Sequence, residues 1–76
     1  MKELLETLAK SLVDYPDEVS VTELEGEKAI VLELRVAEED MGKVIGKQGR
    51  IAKAIRTIVK ASAVRENKKY VVEIVQ

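Results

Sequence analysis

The stretch Met41–Ile55, MGKVIGKQGRIAKAI, holds three of the chain's four glycines and no acidic residue, although the 14 acids of the chain outnumber its 13 bases. The asymmetry widens outward. Residues 1–40 carry 12 acids and 4 bases, residues 41–65 carry 7 bases and no acid, and residues 66–76 carry two of each. A formal net charge of −1 therefore conceals a strong local positive field, which an argument from isoelectric point alone misses.

Two phosphate motifs compete for this glycine-and-lysine pattern, and neither fits. A P-loop needs four residues between its glycines and then Gly-Lys-Ser/Thr, whereas Gly42 and Gly46 enclose three and Lys47 is followed by Gln48. The dinucleotide fingerprint G-x-G-x-x-G fails on spacing as well. What remains is VIGKQGRI, a Gly-x-x-Gly turn between two helical segments, flanked by Lys43, Lys47 and Arg50. Gly46 and Gly49 would let a sugar-phosphate backbone approach the main chain, the following helix N-terminus would offer N–H groups, and the lysines would add charge. Beside this cradle, Ile45 and Ala54, with Leu32 or Leu34 at the strand edge, are expected to form an aliphatic floor that has no aromatic to stack on. Gly42 reads as no more than a weak point in a helix.

The surroundings of the cradle are periodic. Leu4, Leu5, Leu8, Ala9, Leu12 and Val13 recur at helical spacing and predict an amphipathic first helix, with its stripe in the core, ending near Asp14 before Pro16. VSVTELEGEKAIVLELRV alternates on both sides of EGEK and predicts a β-hairpin in which Gly26 supplies a positive φ. In its second strand, Ile30, Leu32, Leu34 and Val36 share the core face. AEEDMGKVI begins with three acids suited to a helix N-terminus and predicts a short helix ended by GKQG. A further helix follows from about Arg50 to Val64, with Ile51, Ile55, Ile58, Val59 and Ser62 buried and Lys53, Arg56 and Lys60 nearly opposite, as a charged run on the solvent side. KYVVEIVQ predicts a closing strand.

These elements define an α+β domain over residues 1–76, with three helices on one face of a three-stranded mixed sheet and the other face solvated or used for assembly. The helical pair between the second and third strands supplies the crossover that parallel pairing needs. A chain without Cys or His excludes the usual zinc sites, Ser-His-Asp triads and Cys-His pairs, so no catalytic residue, metal ligand or cofactor is assigned and no enzymatic activity is expected. Acids interleaved among the N-terminal leucines are unlike a signal peptide, and no run is apolar enough to span a membrane, so a cytoplasmic protein is expected.

VIGKQGRI in this order of elements resembles the KH-domain signature, and the order matches the prokaryotic type II KH topology over essentially the whole chain. The resemblance implies a GXXG loop, here Gly46, Lys47, Gln48 and Gly49, that clamps about four single-stranded RNA nucleotides, with Ile45 as a groove residue. It also implies homodimers, pairing with a larger KH-containing protein, and a role as RNA chaperone or post-transcriptional regulator. The candidate RNA-binding set is Lys43, Ile45, Gly46, Lys47, Gln48, Gly49, Arg50 and Lys53. One departure is Ala52, which stands three residues after Gly49 where many KH sequences carry a branched aliphatic; Ile51, one place earlier, is assigned to packing first. A different class of function, a protein-interaction module whose glycine loop is a structural helix turn, is the alternative. A helix-turn-helix DNA binder fits less well, since the bases crowd the loop and no third helix follows it.

Overall fold

In the computed structural model, the backbone is described for residues 1–75, together with every side chain in that span except those of Lys47 and Gln48. The order is α1 (Lys2–Leu12), a 3₁₀ turn (Pro16–Glu18), β1 (Ser20–Glu25), β2 (Ile30–Arg35), α2 (Glu38–Glu66) and β3 (Tyr70–Val75). Within α2 the backbone of Gly49 has φ +67°, a value that no right-handed helical residue adopts. It divides α2 into a first arm, residues 38–48, and a second arm, residues 50–66. With α1 these make the three expected helices. A second left-handed residue, Asn67 at φ 56°, ends the second arm and donates its N–H to the Ala63 and Val64 carbonyls.

The sheet order is β1-β2-β3, with β2 antiparallel to β1 and parallel to β3. The mixed sheet is the expected one, since α2 provides a crossover long enough for parallel pairing. Gly26 closes the hairpin for a reason other than the expected one, because Gly49 alone among the glycines has a positive φ. Instead the Gly26 N–H donates to the Ala29 carbonyl at 2.9 Å, and a Cβ on Gly26 would lie 2.9 Å from that same oxygen. Close approach, not handedness, selects glycine there.

The core is aliphatic throughout: Leu5, Ala9, Val19, Val21, Leu32, Leu34, Val36, Val44, Ala52, Ile55, Val59 and Val72 form one buried cluster. The β2 face is as read from alternation. Two helical stripes are not. On α1 only Leu5 and Ala9 are fully covered, while Leu4 and Leu12 remain 36% and 37% exposed, because a single helix face against a small sheet covers a narrower arc than the apolar stripe spans. On the second arm the covered residues are Ala52, Ile55, Val59 and Ala63, spaced three, four and four apart, whereas Ile58 is 40% exposed and Ile51 and Ser62 are half-buried. Small side chains let the helix approach the sheet, so the stripe turns toward alanine rather than isoleucine.

Asp40 is the one buried charged residue among those described, at 0% exposure. It sits in the first turn of α2, four residues before the buried Val44. The backbone N–H of Asp14 donates to Oδ1 and that of Tyr15 to Oδ2, each at 3.0 Å. Both oxygens are thereby satisfied and the corner after α1 is tied to the base of the first arm, with the helix macrodipole favouring the negative charge.

A basic groove between the second arm and the edge strand

β3 pairs with β2 alone and leaves its other edge unpaired; a groove lies between this strand and α2. The inner part of that groove encloses about 430 Å³ and is lined by Ile45, Gly49, Ala52, Lys53, Arg56 and Ile74. Ile45, a large apolar side chain in this lining, is 52% exposed. The floor differs from the one expected. Leu32 and Leu34 are fully buried and contribute nothing to it, and Ala54 is exposed elsewhere on the arm. Ala52 and Ile74 take their places, so the position where many KH sequences carry a larger aliphatic is both core and groove floor here.

Lys53 and Arg56 line this groove, although the buried stripe, read as running through Ile51 and Ile58, set them on the opposite side. Once the stripe turns to Ala52, Ile55 and Val59, residues 53 and 56 flank it, since one residue further along a helix is a rotation of about 100°. Arg56 is thus a groove residue that the sequence set left out; its spacing of four from Ala52 is the signal that finds it. Arg50 is exposed at the head of the second arm. Lys43 is exposed too, but its ammonium donates to Asp14 Oδ1 at 3.1 Å, which draws it toward the corner after α1. Lys47 and Gln48 have side chains outside the described residues.

The glycines of the motif do different work. Gly49 needs its left-handed backbone to turn the chain between the arms. Gly46 needs nothing of the kind: its φ is not positive, and a Cβ built on it would meet no atom within 4 Å. The fold leaves Gly46 bare without using the bareness. Among the described residues no carboxylate lies in ion-pair range of Arg50, Lys53, Arg56 or Lys60, so their charges are unneutralised by the chain. Nor is there, among those residues, a group of three or more His, Cys, Asp or Glu that could hold a metal.

At the far end of the groove, the Tyr70 hydroxyl donates to Glu66 at 3.3 Å. Desolvation, then the Glu66 carboxylate and more distantly that of Glu23, raise its phenol above the ordinary value of 10.0, so Tyr70 is a neutral donor throughout the neutral pH range.

A helical pair turning at Gly-x-x-Gly, packed on a parallel strand pair with the groove between second arm and edge strand, defines the KH class of nucleic-acid-binding domains. The comparisons narrow it. The family model for the KH domain of KhpA and KhpB matches residues 2–74. RNA-binding protein KhpA of Clostridium acetobutylicum is 75% identical over 75 residues, 99% of this chain and 100% of that protein. KhpA of Clostridium perfringens is 71% identical with the same coverage, and that of Aquifex aeolicus is 54% identical over 76 residues, 100% of this chain and 96% of the other. No solved structure matches. The chain belongs to the KhpA/KhpB family of KH domains.

Proposed function

We propose that the protein is a non-enzymatic, cytoplasmic single-stranded RNA-binding module that grips the RNA backbone at Gly46, Lys47, Gln48 and Gly49, with Ile45 and Lys53 lining the groove beside it and Arg50 and Lys43 adding charge. The observation that carries the reading is the groove itself: Ile45, Gly49, Ala52, Lys53, Arg56 and Ile74 line it with no acid among them. Helical backbone followed by a left-handed glycine is the combination that gathers successive N–H groups into an anion-binding concavity. Lys43 joins only by exchanging Asp14 for a phosphate, which costs little because an exposed ion pair contributes about 0–1 kcal/mol. Among the described residues no helix is long and apolar enough to cross a membrane. Relatives that carry the name RNA-binding protein support the substrate class, and a role as RNA chaperone or post-transcriptional regulator accords with it.

The alternative, an assembly module, is supported by the open face of the sheet. There the register sets Leu24, Val31 and Val71 side by side across the three strands, with Leu24 47% and Val71 40% exposed. The two readings are compatible at the inner groove, whose lining includes none of this row; a homodimer, or a heteromer with a larger KhpB-type protein, would use the row while RNA occupies that groove.

Lys47→Asp combined with Gln48→Asp separates them. The double variant is expected to fold, with a stability loss of about 0.5 kcal/mol or less, and to sediment as the wild type does, while its affinity for single-stranded RNA in a fluorescence-anisotropy titration is lost. Unchanged RNA affinity in a folded double variant would leave the loop a structural turn and the assembly reading alone standing.

A further inference from the structure

The groove does not stop at Arg56. A second concavity, again about 430 Å³, adjoins it at Arg56 and lies between the end of α2 and β3, where Lys60, Val64, Lys68, Lys69 and Tyr70 are among its lining residues. Arg56 belongs to both parts. Four cations line this outer part, over a floor of valine and alanine and one aromatic, Tyr70, whose hydroxyl donates to the Glu66 carboxylate at the end of the groove. Val64, at its rim, is 74% exposed, the largest exposure of any large apolar residue described. Among the described residues, Lys60, Lys68 and Lys69 also have no carboxylate within ion-pair range.

From this continuity we infer that the RNA track extends past the Gly-x-x-Gly turn into a second subsite between the end of α2 and the edge of β3, where Lys60 and Lys69 take phosphates and Val64 and Tyr70 receive bases. The inference rests on the proposed RNA-binding reading and deepens it. Lysines at a sheet edge also deter strand addition, and an apolar groove beside an unpaired edge would suit an extended peptide. Two features favour RNA. The cations form one series, Lys53, Arg56, Lys60, Lys68 and Lys69, which starts at the phosphate-binding turn, and the floor offers an aromatic ring at the point where the aliphatic inner part offers none.

Charge counting makes the extension measurable. Each phosphate neutralised on a single strand contributes roughly 0.7 to the log–log dependence of affinity on salt. About three contacts at the turn give a slope near −2, and about five along the whole track give a slope near −3.5. The test uses mixed-sequence RNA oligonucleotides of four and eight nucleotides, titrated by fluorescence anisotropy at several salt concentrations against the wild-type protein, the Lys60→Ala/Lys69→Ala variant and the Lys47→Asp/Gln48→Asp variant.

The eight-mer should bind roughly tenfold or more tighter than the four-mer and show the steeper slope; the slope is the decisive readout, because extra registers on a longer oligonucleotide raise affinity without changing it. Lys60→Ala/Lys69→Ala should bring the eight-mer's slope down to that of the four-mer and leave four-mer binding unchanged, and the Gln/Gln version of the same pair should do likewise. Equal slopes for the two lengths overturn the second subsite, as does an eight-mer indifferent to the loss of both lysines. So does equal weakening of both lengths, which would fold these lysines into the four-nucleotide site. An acidic peptide that binds the wild type while the eight-mer gains nothing would assign the groove to protein instead. Failure of the underlying reading looks different: four-mer binding would survive Lys47→Asp/Gln48→Asp.

Discussion

On α1, the Lys10 ammonium sits 2.9 Å from Glu6, while Lys53, Arg56 and Lys60, on the second arm of α2, have no carboxylate in ion-pair range among the described residues. The acidic part of the molecule, residues 1–40, puts charge to internal use: Glu6 holds Lys10, Asp14 holds Lys43, and Asp40 holds two backbone N–H groups. In the basic part, residues 41–65, Lys53, Arg56 and Lys60 line the groove with no carboxylate in ion-pair range among the described residues. Near-neutral composition therefore conceals a division of labour, in which acids help fix the scaffold and bases remain free to meet an anion.

The strongest way to break this comparison is at Asp40. Asp40→Ala leaves the N–H groups of Asp14 and Tyr15 without their acceptor and is expected to cost about 3 kcal/mol, read as a lower denaturant midpoint. A change within about 0.5 kcal/mol, the scale of a surface substitution, would mean that the carboxylate is not what ties the corner to α2.

A smaller effect is expected at the turn. Gly49→Ala places a Cβ on a left-handed backbone and should destabilise by about 1–2 kcal/mol, although no neighbouring atom lies within 4 Å of that Cβ. Thermal unfolding of this variant would sharpen the distinction between a glycine that the scaffold requires and one that it does not. Stability equal to the wild type would show that the chain can turn between the arms without the left-handed conformation.

Much of this was legible in the sequence, because the alternation of β2 and the length of the segment before β3 dictate a core face and a parallel crossover. The stripes were less so. Periodicity weights Ile58 above Ala63, yet packing distance selects the smaller side chain, and that rotation brings Lys53 and Arg56 to the groove. Asp40 is indistinguishable from Glu38 and Glu39 by composition; only its spacing of four from Val44 sets it on the inward face. Gly26 reads as a positive-φ turn residue, and the carbonyl of Ala29 that excludes its Cβ becomes visible only once the hairpin closes. The motif was legible as a constellation, but the different tasks of its two glycines depend on a backbone angle that no residue pattern states.

The most direct test of the account compares Gly46→Ala with Gly42→Ala. Both glycines lie on the first arm, and a Cβ at either position meets nothing within 4 Å, so each substitution should stabilise the folded chain by about 0.5–1 kcal/mol through the lower conformational entropy cost of alanine in a helix. Their effect on single-stranded RNA should diverge. Gly46→Ala interposes a methyl group where the sugar-phosphate backbone is to approach the main chain and is expected to weaken binding at least about tenfold, roughly 1.4 kcal/mol, in a more stable protein. Gly42→Ala should leave affinity as in the wild type. Equal affinities for the two variants, both folded and both stabilised, would contradict the claim that Gly46 is kept bare for a ligand.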